Sequence, residues 1–354
     1  MTRSLRLPLG LAMLAALAAG AAMLPVLQSG GWSLSALAHV NASTGMGRAA
    51  RAIDPDFRTV QTGAYDGQFY WGVAVDPLAS GHVHRSFDKA SYRYGHPLYG
   101  WLAWLVSAGR ARAAPAALAF VGLVSLVAGA FCASMLGRDR GGSGWEGVLV
   151  ALNPGLITAA ANDLAEPLAA FLMVATFTAL GRGRPRLAWV ALALLPFAKE
   201  PLLLVAIGVA LYELVRGRAV RSLAFAAAVV PAACWWVYLR IHLGQWFTSG
   251  GTALGSPFAG WSAALFEGKL RPSAVGSVVV VFVLVLLLVF LLVAAARALR
   301  TLGALELSYL GLAIVACCLA ANATVAFSTA LRNTSLLLVL APFAFFGLRA
   351  RSTS

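Results

Sequence analysis

Asp66 stands in the run Tyr65-Asp66-Gly67-Gln68-Phe69-Tyr70, a carboxylate next to a glycine and among aromatic rings. The run belongs to a long polar stretch that follows the first apolar segment. An enzyme working on a lipid-linked substrate would hold its general base there, at the outer mouth of a membrane bundle, within hydrogen-bond reach of the proton it removes. Gly67 lets a substrate approach the backbone closely. Tyr65, Phe69 and Tyr70 offer flat faces to a sugar ring.

Sugar transfer from a polyprenyl phosphate needs few further groups. Fixed cations must meet the charge that develops on the departing phosphate, and in-line attack at the anomeric carbon inverts its configuration. On the same side the chain supplies Arg93, Arg110, Arg112, Lys199 and Arg332. Arginine forks two hydrogen bonds onto phosphate oxygens, whereas lysine acts as a point charge. Lys199 is the foremost candidate, because it falls between two apolar segments, level with a lipid phosphate. An interfacial anchor is its competing role, with Glu200 beside it.

A second acidic group, Asp163 and Glu166, lies in the short run Asn162-Asp163-Leu164-Ala165-Glu166. With Asp66 these acids can ligate a divalent cation (Mg or Mn) through oxygen. Alternatively, Asp163 orients Arg93 or caps the helix that opens at Glu166-Pro167. The sequence leaves these open. His82, His84 and His96 are scattered and show no metal spacing, and the four cysteines all fall in apolar segments.

The elements that must position these residues are apolar helices. Sixty per cent of the 354 residues are hydrophobic, 11% are charged and the mean hydropathy is +0.80. Several apolar runs approach the ~20 residues that cross a bilayer. The chain therefore reads as an all-α polytopic membrane protein, and its net charge of +14 as topology rather than nucleic-acid binding. About ten spans are expected, near 7–27, 114–136, 145–161, 167–180, 187–198, 201–215, 222–241, 274–296, 304–321 and 335–348. Met1–Leu27 resembles a cleaved signal peptide but is longer than a usual signal core, so it is expected to remain as an anchor.

Short Arg-rich connectors (Arg138/Arg140, Arg182/Arg184/Arg186, Arg216/Arg218/Arg221, Arg297/Arg300, Arg349/Arg351), with Arg3 and Arg6, mark the inner side. Pro97–Gly109 is too short to cross, and laid flat as an interfacial helix it keeps that pattern intact. The outer connectors are then 28–113, 162–166, 198–200, 242–273 and 322–334. They hold Asp54, Asp56, Asp66, Asp76, Asp88, Asp163, Glu166, Glu200 and Glu267, nine of the 13 acids.

In these features the chain resembles the GT-C superfamily of membrane glycosyltransferases, which includes protein O-mannosyltransferases and aminoarabinose transferases. The resemblance rests on a first helix, a long outer loop with an early Asp, and Tyr92-Arg93-Tyr94-Gly95-His96-Pro97-Leu98-Tyr99 leading into a Trp/Leu-rich helix. A later Asp at a short outer turn completes it. It covers roughly residues 1–215, a catalytic membrane module with outer loop 28–113. Residues 216–354 follow as C-terminal transmembrane helices with outer loop 242–273. The resemblance implies a GT-C-like bundle with Asp66 as the catalytic base and Asp163 as the second acidic position. Tyr65, Gly67, Tyr70, Arg93, Tyr94, Lys199, Glu200 and Arg332 are the expected substrate contacts.

It also implies a polyprenyl-phosphate sugar donor, a lipid or glycan acceptor and surrounding membrane lipids, in a bacterial inner membrane with the site facing outward. Trp235-Trp236 is followed by Val237, not Asp, and Asp66 by Gly67, not Glu, which argues against a protein acceptor. The competing classes are a transporter or flippase of a lipid-linked glycan and a non-catalytic assembly partner. Transporters place ionisable groups near the midplane on broken helices, whereas Glu213 and Glu306 lie near inner helix ends.

The topology makes a direct prediction. Cysteines introduced at Ser80 and Ser143 should be labelled by an impermeant reagent from opposite sides of the membrane. Labelling of both from outside would mean that Pro97–Gly109 crosses.

Overall fold

The computed structural model describes residues 5–63, 65–250, 254–266, 274–320 and 327–345. Arg3, Glu267, Arg349 and Arg351 lie outside them. The protein is all-helical, and among the described residues there is no strand, only two isolated bridges, Asn41 to Val60 and Leu254 to Leu319. Three helical stretches are long and apolar enough to cross a membrane: Arg6–Ser29, Ala111–Asp139 and Ala219–Leu243. Glu166–Gly181, Pro185–Ala198, Ala304–Cys317 and Ala330–Phe345 are apolar but shorter.

The helices pack around Ala114–Asp139. The first helix and Glu166–Gly181 lie against it, and Pro185–Ala198 lies against Glu166–Gly181. Small residues make this close approach feasible: Ala117, Ala130, Ala133, Ala169 and Ala170 are buried. Leu9, Met13 and Leu17 on the first helix stay exposed, as expected of a surface that meets lipid.

One expected span is broken. Residues 145–161 form a short helix, Val148–Ala151, then a second, Pro154–Ala160. Pro154 lacks the N–H a continuous helix requires and drives Asn153 out of the helical region. Asn153 instead caps the new helix, its side chain accepting from the N–H groups of Gly155 and Leu156. Its amide nitrogen reaches the Ser335 carbonyl at 3.3 Å. A side chain at Gly155 would run into the Leu331 carbonyl, so the glycine admits the last helix, Phe327–Phe345, at close range. The break thereby fixes the height of Arg332.

Within Pro97–Gly109 a helix forms over Leu98–Val106. Nine residues reach about 14 Å at 1.5 Å each, far less than a bilayer core. Leu98, Tyr99, Gly100 and Ala103 face inward against Gly67–Val75 and Ala114–Asp139, while Trp104, Leu105 and Val106 are exposed.

The stretch 28–113 is folded throughout its described part and tied down by helix Val230–Leu243. Trp235 and Trp236 donate their indole N–H groups to the carbonyls of Tyr94 and Gly95, at 2.7 and 2.9 Å. Tyr238 donates to the Leu78 carbonyl, and His242 pairs with that of Ala79. The tryptophan pair thus clamps the segment that carries Arg93 and His96.

Gly67 has a different use from the one its sequence suggests. A Cβ there would collide with the Asn162 carbonyl oxygen and meet that of Ala38 at 3.1 Å. The glycine serves contact between the first loop and the 162–166 turn rather than the approach of a substrate. Gly67→Ala should therefore destabilise the fold by about 1–3 kcal/mol through overpacking, read as a lower thermal midpoint in detergent. An unchanged midpoint would mean that the Asn162 turn yields freely.

Candidate functional site

Asp66 immediately precedes helix Gly67–Val75, and both of its carboxylate oxygens are engaged. Arg93 Nη1 donates to Oδ1 at 3.0 Å, and Arg332 Nη2 lies 2.9 Å from Oδ2. Arg332 also donates through Nε to Glu166 Oε1 at 2.5 Å, and Lys199 Nζ meets the same oxygen at 2.7 Å. Arg93 turns its other nitrogens on Asp88, two bonds of 3.1 Å. The result is a chain of alternating charge: Asp88, Arg93, Asp66, Arg332, Glu166, Lys199.

Each member arrives on a different element for a local reason. Arg93 ends the short helix Ala90–Arg93, the segment held by the tryptophan clamp. Glu166 opens helix Glu166–Gly181, where Pro167 suits the first turn and a negative charge suits the helix N-terminus. Lys199 is the extended residue that ends Pro185–Ala198 before the turn Glu200–Leu202 begins. Arg332 comes from the last helix.

The chain is largely sheltered, with the Glu166 side chain 0% and that of Arg332 12% exposed. Aromatic rings serve the cations: the Arg93 guanidinium lies 3.8 Å from the Phe69 ring centre and that of Arg332 5.2 Å from Tyr65. Burial acts to raise the Asp66 carboxyl. Arg332 and Arg93 prevail and hold it below the usual carboxylate range, so it is ionised at neutral pH.

A cavity of about 310 Å³ opens beside the charge chain. Asp66, Arg93, Lys199, Glu200, His96 and Arg332 line it, with Phe69, Tyr70 and Tyr92 among them. The apolar part of the lining comes from Leu312, Val315 and Ala316 of helix Ala304–Cys317, Leu319, and Leu336 and Leu337 of the last helix.

Asp66, Tyr70, Arg93, Lys199, Glu200 and Arg332 therefore meet at one cavity as the sequence suggested, with Glu166 directly behind them. Several other expectations do not hold. Tyr94 is wholly buried and donates its hydroxyl to the Asp76 carbonyl at 2.5 Å, away from the cavity. Tyr65 does not line the cavity but packs beneath Arg332. Arg110 and Arg112 are exposed elsewhere, Arg112 bonding to the Ile53 carbonyl.

Asp163 neither orients Arg93 nor caps the helix at Glu166. It is 0% exposed, adopts a left-handed φ of 50°, and both carboxyl oxygens are without a hydrogen-bond partner. Burial pushes its carboxyl well above the usual range. Among the described residues no group of three His, Cys, Asp or Glu side chains is gathered closely enough to hold a metal. Asp66 and Glu166 share the Arg332 guanidinium between them.

One pair was missed. His96 Nδ1 meets Glu200 Oε1 at 2.8 Å, on the cavity wall. The two are 104 positions apart, and no local spacing announces them.

The chain matches no known protein family, no curated protein and no solved structure.

Removing one partner of a buried ion pair strands the other, at a cost of about 3–5 kcal/mol. Arg332→Met leaves the charge chain one cation short and should lower the thermal midpoint, and adding Glu166→Gln should recover part of the loss by restoring its balance of charge. A midpoint equal to wild type in the single variant would show that the charge chain does not hold the helices together.

Proposed function

We propose that the protein is an inverting glycosyltransferase of the membrane, moving a sugar from a polyprenyl-phosphate donor to a lipid or glycan acceptor, with the cavity facing outward. The carrying observation is that a single cavity is lined both by paired charges and by apolar side chains of leucine, valine and alanine. A ligand suited to both has an anionic head on an apolar tail, as a lipid phosphate does. A bundle of about ten spans in a bacterial inner membrane is the topology that goes with this reading. Leu98–Val106, too short to cross, is compatible with it.

In the proposed reaction the donor phosphate engages Arg332, Lys199 and Arg93. These groups then meet the charge that develops as the anomeric C–O bond to phosphate breaks. As the phosphate draws on Arg93 and Arg332, Asp66 recovers basicity and takes the proton of the attacking hydroxyl. The new glycosidic bond forms on the opposite face of the anomeric carbon, and the products are the glycoside, the lipid phosphate and a proton on the base. Glu166 keeps Lys199 and Arg332 side by side and aimed at a common point.

Transport of a lipid-linked glycan is the competing reading. It accounts less well for ionisable groups drawn from several outer connectors to a single closed chain. Asp66→Asn decides between them. It keeps the size of the side chain but cannot take a proton, so turnover should fall about 10²–10⁴-fold while the folded protein and its binding of a prenyl phosphate persist. A transporter would show no chemical turnover in either form. A fully active Asp66→Asn enzyme would remove Asp66 from the role of base.

A further inference from the structure

Arg93, Arg332 and Lys199 meet the cavity already paired, the arginines with Asp66 and the lysine with Glu166. His96 is likewise paired with Glu200. The Tyr70 hydroxyl is not. Among the described residues it makes no hydrogen bond. It is not sealed in either, unlike Glu166 Oε2, which is both enclosed and unpartnered. Tyr70 is only 4% exposed and lines the cavity, so the access left to its oxygen comes from the cavity.

Its surroundings hold this hydroxyl in place. The ring lies edge to face against His96 and Tyr99, with ring centres 5.9 and 5.4 Å away. Tyr99 is wholly buried and gives its own hydroxyl to the Leu118 carbonyl at 2.7 Å. Burial first, and then Glu166, Asp66 and Glu200 against Arg332, push the Tyr70 phenol well above its usual value. It therefore remains an O–H donor at neutral pH. Arg332, Asp66 and Glu200 line the cavity, which sets the phenol oxygen among the charged groups rather than among the leucines. Held short of every carboxylate near it, this donor is left for an acceptor that a ligand brings.

The neighbouring charge selects that acceptor. A hydrogen bond to an ionised oxygen is roughly twice as strong as one to a neutral oxygen. Arg332 is the cation that acts on the phenol, so an anion engaging Arg332 comes close to the hydroxyl as well. Such an anion competes with a carboxylate for each guanidinium, but with no protein group for the phenol. Resting on the transfer reading above, we propose that the Tyr70 hydroxyl is a phosphate-binding donor, giving its hydrogen bond to a phosphoryl oxygen of the lipid-linked substrate. The bond is available before and after the anomeric C–O bond breaks, so its loss appears in binding and not in turnover alone.

Wild-type, Tyr70→Phe and Tyr94→Phe proteins in detergent are titrated with farnesyl phosphate, farnesol and inorganic phosphate, and their thermal midpoints are recorded without ligand. Tyr70→Phe removes an oxygen that bonds to nothing in the protein, so its midpoint should not fall. Its affinity for farnesyl phosphate should drop about tenfold to hundredfold, the range of one hydrogen bond to a charged group. Farnesol should bind it as it binds wild type. Tyr94→Phe leaves the Asp76 carbonyl without its donor, away from the cavity, and should show the reverse: a lower midpoint with unchanged affinity.

Wild-type affinity of Tyr70→Phe for farnesyl phosphate would overturn the proposal. So would an equal loss for farnesol, which would place the effect in the shape of the cavity, or a lowered midpoint, which would make the hydroxyl part of the fold. Inorganic phosphate binding as tightly as farnesyl phosphate, and weakened equally by Tyr70→Phe, would keep the phosphoryl contact but assign it to a free ion, overturning the lipid source. A wild-type protein that binds no farnesyl phosphate would overturn the transfer reading itself, and the contact with it.

Discussion

Arg332 is the point on which this end of the molecule depends. It reaches Asp66 with one nitrogen and Glu166 with another, joining the loop after the first helix, the Glu166 helix and the last helix through a single guanidinium. Few side chains other than arginine can do this, because the fork is rigid, always charged and only weakly hydrated. Lys199 meets the same Glu166 oxygen as Arg332, while the other oxygen, Oε2, is buried without a hydrogen-bond partner. The helix break at Asn153-Pro154 and the close approach at Gly155 can be understood as what keeps the last helix at the height this contact requires.

The same demand explains why the outer stretch is so heavily anchored. A loop that must deliver Arg93 to within hydrogen-bond distance of Asp66 cannot wander. Two indole N–H groups on the backbone of Tyr94 and Gly95 fix it, and they come from a helix about 140 residues later. The aromatic residues of this region therefore act mainly as hinges and platforms. Phe69 lies under one guanidinium and Tyr65 near another. Tyr70 and Tyr92 are the rings left to face the cavity.

Much of this could be read from the chain itself, because membrane helices announce their length and composition and because an acid in an outer turn is conspicuous. Asp66 and Glu166 stand out for that reason, Lys199 and Arg332 as cations in short polar connectors, and the four converge. What could not be read was pairing over long distances. Nothing local distinguishes His96 from His82 or His84, and only folding brings it to Glu200. Asp163 shows the opposite failure. It sits in the same conspicuous turn as Glu166, yet the backbone there takes a left-handed turn that leaves it buried and without a partner. Three positions separate an ion at the centre of the network from a buried, unpartnered carboxyl outside it. Gly67 was conspicuous for the wrong reason, since its neighbour is a carbonyl of the protein.

The charge chain is also electrically closed. Asp88, Asp66 and Glu166 balance Arg93, Arg332 and Lys199, so this chain of ion pairs carries no net positive charge. On the proposed reading, an entering anion would exchange places with a carboxylate already in position. Free phosphate and other small ions gain little from such an exchange, because they lose their hydration and bring nothing else. A head group attached to a hydrocarbon tail brings the burial of that tail against Leu312, Leu336 and Leu337. Discrimination against small soluble anions would then come from the occupied state of the cations, and the apolar wall would decide which phosphates can displace it.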